Sequence, residues 1–320
     1  MLYISELCIG EVNMADINSG FHLHSGKVID SRHGYDVIDC KECGFKHVMP
    51  MPTPEELERV YREEYYTKDK PLFLSQSNED AAWWERVFAD RFDTFEANLP
   101  QKSRRVFDVG AGPGFFLHHG LQRGWTTQGI EPSKQASEHA KELGVDVVTD
   151  FLSPASVANF EPFDVVHACN VLEHIPNPIE LLGCISELIK DEGLLCISVP
   201  NDYNPFQKTV REVDGLEPWW LAPPHHLNYF DVSSLTQLLN NSGFDVFLKE
   251  SSFPIDMFLL MGDHYVGNDE LGRACHKKRM KFEMSLIESG QNDLKRAWYQ
   301  SMAEVGIGRE ICLYARKRSK

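Results

Sequence analysis

The chain has 320 residues, 42% of them hydrophobic and 25% charged, with a formal net charge of -16 and an isoelectric point near 5.2; that is the composition of a globular protein with one large domain plus appendages, or two modest domains. The acidic balance repels nucleic acid and anionic membrane surfaces, and the longest apolar stretch near Phe258–Met261 is too short for a bilayer, so neither partner is expected. The eight cysteines are scattered except for Cys40 and Cys43, and the first twenty residues lack the basic and apolar regions of a signal peptide, so a cytoplasmic enzyme without a disulfide framework is the expectation.

Residues 1 to about 52 read as irregular and rich in His, Gly and Asp. Thr53-Pro54-Glu55-Glu56 then opens a helix, with Thr53 as N-cap, Pro54 at the first helical position and Glu56 completing a capping box. The pattern runs through Leu57, Val60 and Tyr61 to Tyr65-Tyr66. A polar stretch, 67–80, reads as loop. Residues 81–99 form a second amphipathic helix, with Trp84, Val87, Phe88, Phe92 and Phe95 at helical spacing, and 100–103 link it to the main domain.

From Arg104 short apolar segments alternate with amphipathic ones. Strands are expected at 106–109, 127–130, 145–148, 163–168 and 194–199, with helices starting near Phe115, Ser133 and Asn177. Ile179, Leu182, Ile185 and Ile189 make the apolar face of the last, behind an Asn177–Glu180 capping box. This alternation predicts a mostly parallel sheet covered on both faces, with ligands bound where the strands end. After Pro200 comes an aromatic and Pro-rich insertion, 201–230. Asp231 caps a helix ending at Gly243, a strand follows at 246–249, and 252–290 is less regular with a basic helical run at 275–281. A helix at 292–302 precedes the last strand, 311–315. The expected organisation is an N-terminal module (1–100), a Rossmann-like domain (101–251) and a helical cover with the last strand (252–320).

Three segments carry chemistry. Asp108 stands two residues before Gly110-Ala111-Gly112-Pro113-Gly114, a turn whose missing Cβ atoms let a ligand approach the backbone, followed at Phe115 by a helix start whose N–H groups point at it. The second strand ends at Glu131-Pro132, and an acid there can accept two hydrogen bonds from ribose hydroxyls. The fourth ends in Asn170-Val171-Leu172-Glu173-His174-Ile175-Pro176.

In this order the three resemble the class I S-adenosylmethionine-dependent methyltransferases, over about 104–250. The resemblance implies a doubly wound, seven-stranded, mostly parallel sheet with an antiparallel edge strand near 311–315, S-adenosylmethionine as cofactor, and a site made of Asp108, Gly110, Ala111, Gly112, Gly114, Phe115, Glu131, Pro132, Asp150, Phe151, Asn170, Val171 and His174. Asp150 and Phe151 match the segment that flanks the adenine, and Asn170–Pro176 matches a signature of the branch with sugar and small-molecule methyltransferases. Residues 35–66, with Cys40-Lys-Glu-Cys43-Gly44, look like the region before the catalytic domain of the sugar C-methyltransferases, where a zinc module sits. Zinc on Cys40 and Cys43 needs two further ligands. His22 and His24 are best placed; Cys8, His33 and His47 are others. The plain alternative is a reduced thiol pair in a turn. Residues 224–230 look like the same family's His-containing segment, which makes His226, then His225, the candidate base, with Tyr229 positioning substrate. The sequence departs from that family in having one Cys-x-x-Cys instead of two and no acid beside the His.

The function expected is methyl transfer from S-adenosylmethionine to a small-molecule or glycan-precursor acceptor, such as a nucleotide-linked sugar. The rivals are an NAD(P)-dependent oxidoreductase, which shares the Gly-rich turn and the second-strand acid, and a non-catalytic module that keeps the fold. Asp108 argues against the oxidoreductase, because it would stand beside the diphosphate. Arg273 with Lys277-Lys278-Arg279 reads as a solvated helix face, or else as a steering patch for an anionic substrate.

Overall fold

The computed structural model describes residues 24–62, 73–102 and 104–318. Within them, residues 26–49, read above as irregular, form three antiparallel strands: β1 (Gly26–Arg32), β2 (Tyr35–Cys40) and β3 (Lys46–Met49). They are short and carry few apolar residues, so their period-2 signal is weak. The turn between β1 and β2 has positive φ at both central residues, 52° at His33 and 83° at Gly34. That is the backbone a two-residue hairpin needs to match strand twist.

Helix α1 (Pro54–Arg59) begins as expected. Thr53 Oγ1 accepts from the Glu56 N–H, and the Glu56 carboxylate accepts from the Thr53 N–H at 2.9 Å. Its continuation through Tyr65-Tyr66 falls outside the described residues. α2 (Phe73–Glu79) occupies part of the expected loop, and α3 (Ala81–Asn98) buries Trp83, Phe92 and Phe95.

The main domain then alternates β4 (Arg105–Val109), α4 (Phe115–Gln122), β5 (Thr126–Ile130), α5 (Lys134–Glu142), β6 (Asp146–Val148), α6 (Pro154–Val157), β7 (Phe163–Cys169), α7 (Pro178–Leu188) and β8 (Ile189–Pro200). α7 keeps Asn177 as its N-cap, but Ile179 is 57% exposed and Ile189 starts β8. Its buried face is Leu181, Leu182, Cys184, Ile185 and Leu188. The expected stripe ran too far because the buried strand that follows is as apolar as the helix. The insertion carries α8 (Pro205–Asp214) and β9 (Asn228–Tyr229). Then come α9 (Val232–Asn241), capped by Asp231 as expected, β10 (Phe244–Ser251), α10 (Met257–Leu260), α11 (Asp269–Glu288), α12 (Asn292–Glu304) and β11 (Glu310–Lys317).

Two sheets result. β1-β2-β3-β9 is antiparallel, and β10-β11-β8-β7-β4-β5-β6 has seven strands. β8, β7, β4, β5 and β6 run parallel, and β11 runs antiparallel to both its neighbours, one place in from the outermost β10. Alternate residues of the central strands face opposite layers. Phe107, Val109, Val166, Ile197 and Val199 pack with Leu182, Ile185, Leu235 and Leu238 from α7 and α9. Val106, Val165, Leu194 and Tyr314 pack with Phe92, Phe95, Phe116 and Leu117 from α3 and α4. The carboxyl ends of β4, β5, β6 and β7 meet at one edge, with the 110–114, 131–132, 149–151 and 170–176 segments above them. Among the described residues no helix is long and apolar enough to cross a membrane.

Candidate active site

The turn after β4 is built on left-handed glycines, with φ of 69°, 53° and 86° at Gly110, Gly112 and Gly114. A Cβ on Gly110 would stand 2.8 Å from Val171 Cγ2, and one on Gly114 would stand 2.6 Å from Ala140 Cβ. The first keeps the turn against the end of β7, and the second keeps α4 against α5. The N–H groups of Gly110 and Ala111 both donate to the Ile130 carbonyl, that of Gly114 to the Ala111 carbonyl, and that of Gly112 to Glu131 Oε2 at 2.9 Å. The turn therefore offers space more than donors. That suits a cofactor without a diphosphate, which would want those N–H groups.

Glu131 is 5% exposed, and its other oxygen accepts from the Ser133 N–H at 2.9 Å. Burial pushes its pKa up to about 7, against the pull of those two N–H groups. Beneath the turn a buried chain of hydrogen bonds joins α3, β7 and β4. Arg91 Nη1 lies 2.7 Å from His167 Nε2, and His167 Nδ1 lies 2.7 Å from Asp108 Oδ1. A guanidinium only donates, so Nε2 accepts and Nδ1 carries the hydrogen given to Asp108. Burial drives the His167 imidazole well below its ordinary range, keeping it neutral, and drives Asp108 upward, opposed by the Arg91 charge. The sequence reading missed both Arg91 and His167. The signal was present, because each is a polar residue on an otherwise apolar stripe, Arg91 three residues after Phe88 and His167 inside Phe163–Cys169.

One cavity of about 460 Å³ is lined by Asp108, Gly110, Ala111, Gly112, Phe115, Glu131, Pro132, Asp150, Phe151, Asn170, Val171 and His174. Gly114 is not among its lining residues. Asp150 Oδ1 accepts from Arg62, whose guanidinium lies 4.9 Å from the centre of the Phe151 ring. Asn170 has φ 54°, which turns the chain at the end of β7. The far wall comes from outside the Rossmann-like domain: Tyr61, Trp83, Trp84 and Phe88 from the N-terminal segments, His276 and Arg279 from α11. Arg279 is not on a solvated face. It is 9% exposed, 4.7 Å from the Trp83 ring centre, and donates to Glu283 at 3.1 Å. Arg273 is held by Glu79 and Asp80.

His225, His226 and Tyr229 are not part of the cavity wall. Tyr229 is 1% exposed and its hydroxyl donates to the His226 carbonyl. The loop bearing them is strapped beneath the 172–175 turn, through the Leu227 N–H on the Glu173 carbonyl at 2.7 Å and the Asn228 amide on the Leu172 and Ile175 carbonyls. Of His174, His225 and His226, His174 is the one that lines the cavity, and His226 stands edge-on to it with ring centres 4.9 Å apart.

A second cluster lies in the N-terminal sheet. His24, Cys40, Cys43 and His47 bring one ligand atom each within 4.8 Å of one another. His24 Nδ1 is 3.4 Å from Cys43 Sγ and 3.2 Å from His47 Nε2. His47 Nδ1 is 3.0 Å from the Val48 carbonyl, so it carries the hydrogen and Nε2 presents its lone pair inward, as in metal-bound histidines. Burial and the Cys40 sulfur push the Cys43 thiol up to about 12, a proton that a bound cation would displace. The residues fit zinc, with His24 and His47 beside the two cysteines. His22 and Cys8 lie outside the described residues, and His33 sits in the β1–β2 turn.

Residues 80–248 match the protein family described as a methyltransferase domain. A ubiquinone biosynthesis O-methyltransferase of Actinobacillus pleuropneumoniae serotype 5b is 32% identical over 108 residues, 31% of this chain and 46% of that protein. The protein of the same name from Ralstonia nicotianae is 32% identical over 144 residues, 40% of this chain and 60% of that protein. The match thus spans about half the length of these relatives. Among solved structures, the plantazolicin methyltransferase BpumL in complex with SAH aligns with a TM-score of 0.47 and 15% identity, over 82% of this chain and 94% of that one.

Proposed function

Because the chain belongs to the class I S-adenosylmethionine-dependent methyltransferases, we propose that it methylates a hydroxyl oxygen of a small-molecule acceptor held between the cofactor motifs and the aromatic wall. The observation that carries this is the continuity of the cavity. Gly110 and Glu131, His174, and Trp83, Trp84 and Phe88 all line the same cavity. Oxygen as the accepting atom is supported by the relatives named O-methyltransferase. A flat-faced acceptor, either a phenol or the ring face of a sugar in a glycan precursor, suits the indole and phenyl walls. A cytoplasmic setting is supported by the described cysteines, all of which are free thiols.

When bound, the cofactor supplies a sulfonium-activated methyl group. In this reading the chain does the rest. Gly110 and Gly112 leave room for the cofactor backbone, Glu131 takes the ribose hydroxyls, and Asp150 with Phe151 borders the adenine. Orientation and exclusion of water supply up to about 7–11 kcal/mol of the barrier in well-aligned reactions. The acceptor proton is handled at the far end, where His174 lines the cavity and His226 and Glu173 stand behind it. Cys40, Cys43, His24 and His47 hold a structural zinc that fixes β3, and through the pairing of His47 with Asn228 it fixes the strap under that end.

The test is transfer of a tritiated methyl group to a panel of phenols and sugar nucleotides, with the product bond identified. Methylation confined to nitrogen or carbon would sink the proposal. His226→Ala is expected to lower turnover by about 10²–10⁴-fold while S-adenosylhomocysteine binding holds. Unchanged turnover removes His226 from the reaction.

A further inference from the structure

Glu173, in the turn after β7, is a buried acid. It is 1% exposed, and among the described residues neither carboxyl oxygen has a hydrogen-bond partner beyond its own backbone N–H. An unbonded buried carboxylate is costly, and such groups call for a reason. The backbone around it is pinned by the Leu227 N–H and the Asn228 amide described above, so the side chain cannot swing out without breaking that strap. Burial drives its carboxyl well above the ordinary carboxylate range, Asp202 and Glu310 push the same way, and its own backbone N–H and the Arg309 charge oppose them.

Two imidazoles converge on the same point. His174 Nδ1 lies 2.7 Å from the His225 carbonyl, which only accepts, so Nδ1 carries the hydrogen and Nε2 presents a lone pair. That Nε2 lies 3.7 Å from Glu173 Oε1, beyond hydrogen-bond reach, so imidazole and carboxyl stand side by side without a hydrogen bond between them. His226 completes the set, and one ligand atom of each of the three lies within 4.8 Å of the others. A histidine whose outer N–H is anchored on a backbone carbonyl while its inner nitrogen meets a carboxylate and a second imidazole is arranged as a metal ligand.

We propose that Glu173, His174 and His226 bind a divalent transition-metal ion of the zinc type, leaving an open fourth position at the cavity wall formed by His174. Two nitrogens and one oxygen select zinc and its neighbours over magnesium or calcium, which prefer oxygen alone. Bonds of about 2.0–2.1 Å put tetrahedral ligand atoms about 3.4 Å apart, and the three lie within 4.8 Å of one another. An acceptor hydroxyl in the open position would lose its proton to water more readily. That consequence rests on the methyl-transfer reading, whereas binding of the ion does not.

The test must separate this site from the Cys40–Cys43 cluster. Zinc content is measured after dialysis on the full chain, on Cys40→Ser/Cys43→Ser, and on each carrying Glu173→Gln or His226→Ala, with S-adenosylhomocysteine calorimetry as the check on folding. Two equivalents are expected in the parent, one in the cysteine variant, and one fewer wherever Glu173→Gln or His226→Ala is added, with zinc binding weakened more than about 100-fold, beyond the loss from outer-shell changes. If the cysteine variant does not fold, the single Glu173→Gln change in the parent reads the same loss, from two equivalents to one. Zinc content unmoved by Glu173→Gln and His226→Ala overturns the site. Loss of the ion with full methyl transfer retained keeps the site and removes its part in the reaction.

Discussion

Glu131 shows how one residue carries both structure and pH dependence. Its carboxylate holds Gly112 and Ser133 in place and faces the cavity. With a pKa near 7 in the cofactor-free chain, it is protonated below that value and ionised above it. In the proposed reading the ionised form accepts from two ribose hydroxyls, so binding below pH 7 must first release a proton. Affinity for S-adenosylhomocysteine is therefore expected to rise with pH, by about tenfold per unit below 7, and to level off above it. Calorimetry from pH 5.5 to 8.5 checks this, and a flat profile would count against it. Glu131→Gln should remove the dependence and weaken binding by about 10–100-fold. Arg91 makes a different case. Arg91→Met leaves His167 Nε2 without its donor and Asp108 without the nearby cation, at a cost of about 3–5 kcal/mol in urea unfolding. Arg91→Lys should not restore it, since an ammonium lacks the fork that reaches both His167 and Cys169.

At the scale of elements, the β1–β3 hairpins and the strand β9 form a sheet whose core is Val37, Val48, Leu227 and Tyr229, with Trp220 and Leu221. A sheet this small has little apolar area and depends on a staple. Cys40→Ser/Cys43→Ser should release one zinc equivalent and raise amide exchange across 26–49 while β4–β8 stay protected. Equal exchange in variant and parent would show that the staple is not needed. The helix starts were legible because capping is local: Thr53, Asn177 and Asp231 each accept from the backbone N–H three residues on. The hairpins were not legible, because a strand depends on partners that the local pattern does not contain.

For the whole molecule, β11 decides the architecture. It returns from the end of the chain to lie between β8 and β10, burying Ile311, Leu313, Tyr314 and Ala315. Removing 310–320 takes out a strand with neighbours on both sides, so the truncated chain is expected to lose cooperative unfolding and S-adenosylhomocysteine binding together. Retained binding would contradict the placement of β11. The strands of the main sheet were readable as apolar runs, because a parallel sheet is buried on both faces. Their order was not readable from the runs, because it depends on crossovers that no single run records.

By itself the sequence determined the turns at the strand ends around the cavity. Asp108, Gly110–Gly114, Glu131 and Asn170–His174 each sit at the end of one strand, where turn chemistry is local and a few adjacent residues set the backbone. The tertiary structure decided everything assembled across distance. Arg91 meets His167 76 residues away and His174 meets the His225 carbonyl 51 residues away, while His24 closes on Cys43 across the hairpin. Those meetings depend on which faces pack and which loops are strapped. That is settled by burying apolar area over the whole fold and by satisfying buried polar groups, and no short window of sequence contains either.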